Sequence, residues 1–296
     1  MKSGFVAIIG KPNVGKSTFL NQVMGFKLAI MSPKPQTTRN PILGIYTSDA
    51  GQIVFVDTPG IYKSQNKLGD LMQKMSYNAM VGVDLVLYMI SEYDSLSSED
   101  TKILEAIKNQ NVKTFLIVNK IDLIKKEKTF RERVEEFKNA YPFDATFGIS
   151  AQDGTNVSNL LEDIFNALPE GDLIYPEEEI TNKSEKFIIA EYIRERIFHL
   201  TEDEVPHSCM VEIEQMEYKK GLCNIKACII VKKESHKPII IGKGGSMIKR
   251  IGQESREEIE KFLNMKCFLE LFVKVEENWT DRDYYLKDFG FKDEIE

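Results

Sequence analysis

The sequence predicts an α/β fold, a doubly wound and mostly parallel sheet with helices on both faces, followed by a small α+β domain. Three observations lead there. Short β-rich apolar runs alternate with helical segments through the first part of the chain. The later part reads α-β-β-α-α-β instead. Between them, Leu168-Pro169-Glu170-Gly171-Asp172-Leu173-Ile174-Tyr175-Pro176-Glu177-Glu178-Glu179 carries two prolines, a glycine and an acidic run, the composition of a solvated linker. The expected organisation is a first domain over 1–170, a linker over 171–182, a second domain over 183–277 and a tail over 278–296. A length of 296 residues suits two domains.

In the first part the strand candidates are Phe5 to Ile9, Ile42 to Thr47, Ile53 to Val56, Leu85 to Ile90, Thr114 to Val118 and Ala145 to Ile149. Ser48-Asp49-Ala50-Gly51 is a short turn, so the second and third strands form an antiparallel hairpin. The other intervals hold a crossover helix each. Ser97-Ser98-Glu99-Asp100 opens one with a capping-box pattern ahead of Ile103, Leu104 and Ile107. Thr155 to Leu168 closes the set with Val157, Leu160, Leu161 and Ile164 on one face. Ligands of such sheets sit at the carboxyl ends of the strands.

Four motifs fall at those ends. Gly10-Lys11-Pro12-Asn13-Val14-Gly15-Lys16-Ser17, followed by Thr18, is a complete GxxxxGK[ST] between a strand and a helix. Its backbone N–H groups can curl around a phosphate chain at a helix N-terminus. Lys16 would reach the terminal phosphates and Ser17 would enter a Mg²⁺ shell. Asp57-Thr58-Pro59-Gly60 places a carboxylate on the same rim, suited to Mg²⁺, and an N–H at Gly60 suited to a γ-phosphate. Asn119-Lys120-Ile121-Asp122 ends the fifth strand and Ser150-Ala151 the sixth. The Asp122 carboxylate can accept from the ring N–H and amino group of guanine, and adenine offers neither donor. The expected nucleotide is GTP or GDP.

These four elements resemble the G1, G3, G4 and G5 motifs of the Ras-like, translation-factor-related GTPases. The resemblance implies that a threonine of the first switch loop contacts Mg²⁺ and the γ-phosphate. Ser32-Pro33-Lys34-Pro35-Gln36-Thr37-Thr38-Arg39 is the matching loop, with Thr38 the assignment and Thr37 its alternative. Lys16, Thr38 and Gly60 are then the groups expected to meet the reacting phosphate. Ile61 stands where many relatives carry the glutamine that orients water. This resembles the subgroup with a hydrophobic residue there and implies slow hydrolysis without a partner. Some members of that subgroup hold a K⁺ ion on a P-loop asparagine, the position of Asn13 here.

In the second part Phe187 to Leu200 is an amphipathic helix, with Glu191, Arg194, Glu195 and Arg196 expected outward. Strands over Cys209 to Gln215 and Leu222 to Lys232 follow, and a last strand over Cys267 to Val275. Between them stands Ile241-Gly242-Lys243-Gly244-Gly245, a GxxG that lets backbone approach single-stranded RNA closely. From Lys232 to Arg256 seven basic residues face two acidic ones, Glu234 and Glu254. Lys237, Ile241, the four loop residues, Lys249 and Arg250 are the candidate RNA contacts. This part resembles a type II KH domain. The aromatic, acidic tail from Trp279 to Glu296 is expected to pack on its core rather than cover the RNA groove.

A P-loop GTPase joined by a Tyr-Pro-Glu-Glu linker to such a domain resembles the Era-like GTPase family. The resemblance implies binding near the 3′ end of 16S ribosomal RNA, a role in 30S subunit biogenesis, peripheral membrane association and a monomer. Two functions are open: a GTP-hydrolysing switch controlling the RNA site, or an RNA-binding assembly factor in which GTP is mainly structural.

Composition sets the bounds. With 39 Lys+Arg against 46 Asp+Glu the net charge is −7, which excludes a uniformly basic RNA-coating surface. Residues 1–175 hold 19 basic and 20 acidic residues, 176–296 hold 20 and 26, so the basic window is local. Cys209, Cys223, Cys228 and Cys267 lack paired CxxC spacing and read as buried thiols, and the three histidines form no metal motif. The start lacks a secretory signal pattern and no apolar run approaches a membrane span, so the expected compartment is the cytoplasm.

Overall fold

The computed structural model describes every residue except 33, 35, 36, 63, 65 and 292–296, and the side chains of 288 and 289. Part of the switch-loop assignment and the end of the tail therefore lie outside the described residues. The chain forms two compact units, one of residues 1–29, 38–65 and 69–182, the other of 183–296 with the short segments 30–37 and 66–68.

The first unit is built on a six-stranded sheet. Its strands are β1 (Lys2–Ile9), β2 (Ile42–Ser48), β3 (Gly51–Asp57), β4 (Leu85–Ser91), β5 (Lys113–Asn119) and β6 (Ala145–Gly148), in the order β2-β3-β1-β4-β5-β6. All pairs are parallel except β2 with β3. Parallel strands covered on both faces need apolar side chains in succession. Val6 to Ile9 and Leu85 to Ile90 are accordingly all buried. The helices are α1 (Lys16–Met24), α2 (Lys67–Asn78), α3 (Ser98–Gln110), α4 (Glu127–Ala140) and α5 (Val157–Ala167). The expected capping box forms at α3, Ser97 Oγ accepting from Asp100 N and Asp100 from Ser97 N. From β1 the chain passes to the β2–β3 side and then to β4 on the other side. The carboxyl end of β1 is therefore the topological switch point, where such sheets bind ligands.

The stretch expected to be a solvated linker is exposed but held. Gln52, fully buried, accepts from the amides of Ile174 and Tyr175 at 2.9 Å each and donates to Tyr175 O at 3.0 Å. Ile45 N then donates to Ile180 O at 3.0 Å. A buried amide side chain must have its hydrogen bonds met, and here the linker backbone meets them.

The second unit has the strands β7 (Cys209–Lys219), β8 (Leu222–Val231) and β9 (Lys266–Val275), with β7 antiparallel and β9 parallel to β8. Its helices are α6 (Glu185–Leu200), α7 (Lys237–Ile241), α8 (Ser246–Leu263) and the short α9 (Asp283–Leu286). The described part of the tail packs on the core through Trp279, which is fully buried with its indole N–H donating to Ser208 O at 3.0 Å. All four cysteines are buried free thiols.

One expectation fails. Glu191, Arg194 and Glu195 of α6 do not point outward; Arg194 is fully buried and Glu195 is 1% exposed. The charges are paired instead, Arg194 Nε donating to Glu191 Oε1 at 2.7 Å and Arg196 to Glu195 at 2.7 Å. Segment 30–37 of the same unit adds Met31 N, which donates to Glu195 Oε1 at 2.8 Å. Buried charges persist only when partnered in this way.

Candidate nucleotide site and RNA groove

At the switch point the loop after β1 is tied to its neighbours. Lys16 Nζ donates to Gly10 O at 3.0 Å and to Lys11 O at 2.8 Å, while Ile61 N donates to Gly10 O at 3.3 Å. Gly15 has φ +104°, and a Cβ there would fall 2.0 Å from Asn119 Nδ2. A side chain is therefore excluded where the P-loop and the base loop touch. Asn119 uses that proximity. Its Nδ2 donates to Val14 O at 2.8 Å and its Oδ1 accepts from Ala151 N at 2.9 Å, so one buried amide joins the P-loop, the Asn119–Asp122 turn and the Ser150–Ala151 turn. Asn119 thus braces the three loops against one another. Lys120 turns the chain with φ +64°.

Ser17, Thr38 and Asp57 converge. Ser17 Oγ donates to Asp57 Oδ2 at 2.9 Å and lies 3.0 Å from Thr38 Oγ1, and Thr38 Oγ1 is 3.5 Å from Asp57 Oδ2. Asp57 is fully buried, and its Oδ1 has no hydrogen-bond partner among the described residues. Two hydroxyls and a carboxylate with one unpartnered oxygen are the hard oxygen donors that Mg²⁺ prefers, so the residues fit that ion. Thr38 is thereby favoured over Thr37.

Burial raises the Asp57 carboxyl to about 6, against the opposing pull of the Lys16 ammonium and of the hydrogen bonds from Ser17, Thr38 and Thr58 N. Burial likewise lowers Lys16 to about 8, with Asp57 opposing. Thr58 Oγ1 donates to Ile8 O at 2.8 Å and fixes the start of the Asp57–Gly60 turn. Ile61 is 2% exposed and packs into the apolar cluster with Ile9, Met80 and Ile90, so its side chain contributes nothing polar to the site. Asn13 is exposed with φ +64° on the outer arc of the loop, and Thr18 lies half-buried on α1. Asp122 is exposed on the turn after β5. A mispaired base would thus bury its carboxylate only on binding, not before.

In the second unit the loop from Gly242 to Gly245 joins α7 to α8, with φ +60° at Gly244 and open space around its α-carbon. Beside it α8 and β9 enclose a groove of about 440 Å³ lined by Ile248, Lys249, Gly252, Gln253, Arg256 and Phe268. Of the predicted contacts, Lys243, Gly244, Lys249 and Arg250 are exposed, and Lys237, Ile241, Gly242 and Gly245 are half-buried. Arg250 Nε donates to Glu254 Oε1 at 2.7 Å, leaving Lys249 as the basic residue that lines the groove from the predicted set. Arg256 and Phe268 belong to this groove but were absent from the predicted contacts. The spacing Lys249, Gly252, Arg256 marks one face of α8 and could have found the first; Phe268 becomes visible only once β9 pairs beside β8.

Comparison with known proteins finds relatives over both units. A family described as "50S ribosome-binding GTPase" matches residues 5–120, and one described as "KH domain" matches 204–280. The chain is 46% identical over 294 residues to GTPase Era of Carboxydothermus hydrogenoformans, covering 98% of each. It superposes on a variant of Aquifex aeolicus Era bound to GDP.AlF4⁻ with a TM-score of 0.94 at 38% identity, covering 98% of this chain and 99% of that one. A crystal structure of Era in complex with MgGDPNP and nucleotides 1506–1542 of 16S ribosomal RNA gives the same TM-score and coverage at 39% identity.

Proposed function

Since the chain belongs to the Era family of GTPases, we propose that it is a GTP-hydrolysing switch that captures single-stranded 16S ribosomal RNA and assists 30S subunit biogenesis. The convergence of Ser17, Thr38 and the half-satisfied Asp57 carries this reading. With Mg²⁺ supplying charge neutralisation on the β- and γ-phosphates, Ser17 and Thr38 would hold the ion and Asp57 would bind it directly or through water. Lys16 neutralises the terminal phosphates, Gly60 offers its N–H to the γ-phosphate, and Asp122 reads guanine. Because Thr38 lies in the first switch loop, its grip depends on the γ-phosphate, the usual basis of a nucleotide switch. Asn13 is the residue that would hold K⁺ beside the phosphates.

The RNA reading rests on the Gly242–Gly245 loop and the groove beside it, where Lys249 and Arg256 meet phosphate and Phe268 and Ile248 offer surfaces to bases. The partners are the 3′ region of 16S ribosomal RNA and the 30S subunit, bound by a monomer, with peripheral contact at the membrane surface. No helix among the described residues is long and apolar enough to cross a membrane. The burial of Ile61 favours a second reading, an RNA-binding assembly factor in which GTP is mainly structural, since no side chain at that position orients water. Multiple-turnover hydrolysis with Mg²⁺, in K⁺ and Na⁺ buffers and with or without a 16S 3′-end oligonucleotide, separates them. Turnover that rises with RNA supports the switch; RNA affinity identical with GDP and a non-hydrolysable GTP analogue supports the structural role. Equal rates in K⁺ and Na⁺ remove the K⁺ site.

A further inference from the structure

Asp100 is the most heavily bonded carboxylate near the nucleotide site, yet no GTPase motif contains it. It sits fully buried in the first turn of α3. Its Oδ2 accepts from Lys11 Nζ at 2.9 Å, Ser97 N at 2.9 Å and Ser97 Oγ at 2.6 Å, and its Oδ1 accepts from the buried Tyr88 hydroxyl at 2.5 Å. A capping box needs only the Ser97 amide of these. The Lys11 and Tyr88 bonds are surplus to capping, and Lys11 belongs to the P-loop. Asp94, 3.9 Å from the same ammonium, adds a second negative charge on that side.

Lys11 is held at two points. Its side chain is fixed by Asp100, and its carbonyl accepts from Lys16 Nζ at 2.8 Å. Pro12 follows it and restricts its backbone to extended conformations, which narrows the positions its carbonyl can take while the side chain is anchored. We propose that Asp100 is a positioning residue for GTP hydrolysis, acting through the Lys11 ammonium to set the carbonyl that aligns Lys16. This rests on the reading of the P-loop as the phosphate site. Tyr88 keeps the carboxylate aimed at Lys11 from the opposite side, so the brace joins the β4 core to the loop. Displacement of a reacting group by about 1 Å can cost up to roughly 100-fold in rate.

The test is steady-state GTP hydrolysis by the full chain with Mg²⁺, alongside fluorescent-GDP titration and thermal melting. Lys11→Met, which keeps the aliphatic stem, should lower kcat about tenfold with KM changed less than about threefold. Lys11→Arg should restore kcat to within about threefold of the parent, because it keeps the charge that Asp100 holds. Asp100→Asn should also lower kcat, and the Lys11→Met/Asp100→Asn pair should be no worse than the poorer single variant, as expected for two ends of one contact. Ile107→Val trims the buried face of the same helix without touching Asp100 or Lys11, and should lower the melting temperature while keeping kcat within about twofold. The proposal is overturned if Lys11→Met keeps the parent kcat, if Ile107→Val loses as much activity as Lys11→Met, or if the two losses simply add. Failure of the underlying site reading looks different: the parent would not bind fluorescent GDP, or Lys16→Ala would bind it as tightly as the parent.

Discussion

Asp122 lies exposed on its turn, so as the proposed guanine reader it would discriminate through what a bound base covers rather than through a pre-formed buried pocket. Asp122→Asn removes the acceptor pair that guanine needs and is expected to weaken GDP binding roughly 100-fold, about 3 kcal/mol. It should also shift preference toward xanthosine nucleotides, read by competition between GTP and xanthosine triphosphate. In the other unit, Gly244→Asp forces a side chain into φ +60° and brings a negative charge to the loop where phosphate is expected. RNA affinity, measured by filter binding, should fall more than about tenfold while hydrolysis measured without RNA is kept. These residues were legible because each motif is contiguous and its chemistry follows from residue type. Asp100 was read correctly as a cap, but its larger role was hidden. Its partner Lys11 is 89 positions away, and no local pattern reports that the two meet.

Among the elements, α8 carries the clearest division between packing and binding. Ile251, Ser255 and Ile259 are buried beneath it, while Lys249, Gln253 and Arg256 line the groove against β9. Arg256→Ala should weaken binding of every RNA sequence alike and reduce the slope of log affinity against log salt by about 1. A loss confined to particular sequences would assign Arg256 to bases instead. The strands were legible from their apolar runs because burial on both faces leaves little else possible. Helix α6 shows where periodicity stops helping. A single helix pattern places Arg194 and Glu195 toward solvent, whereas tertiary contacts bury both and pair them with Glu191 and Arg196. Local amphipathy does not encode a covering segment that arrives from elsewhere in the chain.

At the level of the whole molecule, stability depends on pH through His236 in the second unit. It is 3% exposed, and its ring lies 3.0 Å from Ser208 Oγ. Burial first, then the cations of Lys233 and Lys232, hold it below the usual 6.5, with Glu204 opposing. The folded chain therefore keeps it neutral where the unfolded chain has begun to bind a proton. The contribution of His236 to stability is complete above its unfolded value of about 6.5 and is lost as pH falls through its lowered folded value. Melting temperature followed from pH 7.5 down to 5.5 should decline, and His236→Gln should flatten the decline. The pairing of β8 with β9 has a consequence for synthesis. That pairing is parallel and extends over all ten residues of β8, so it cannot begin until α7, α8 and then β9 have been made. Until then Leu222 to Val231 presents an open edge rich in Ile, Val and Cys, a template for pairing between nascent chains. A ribosome that stalls between Leu263 and Val275 would leave this edge unpaired for as long as it waits.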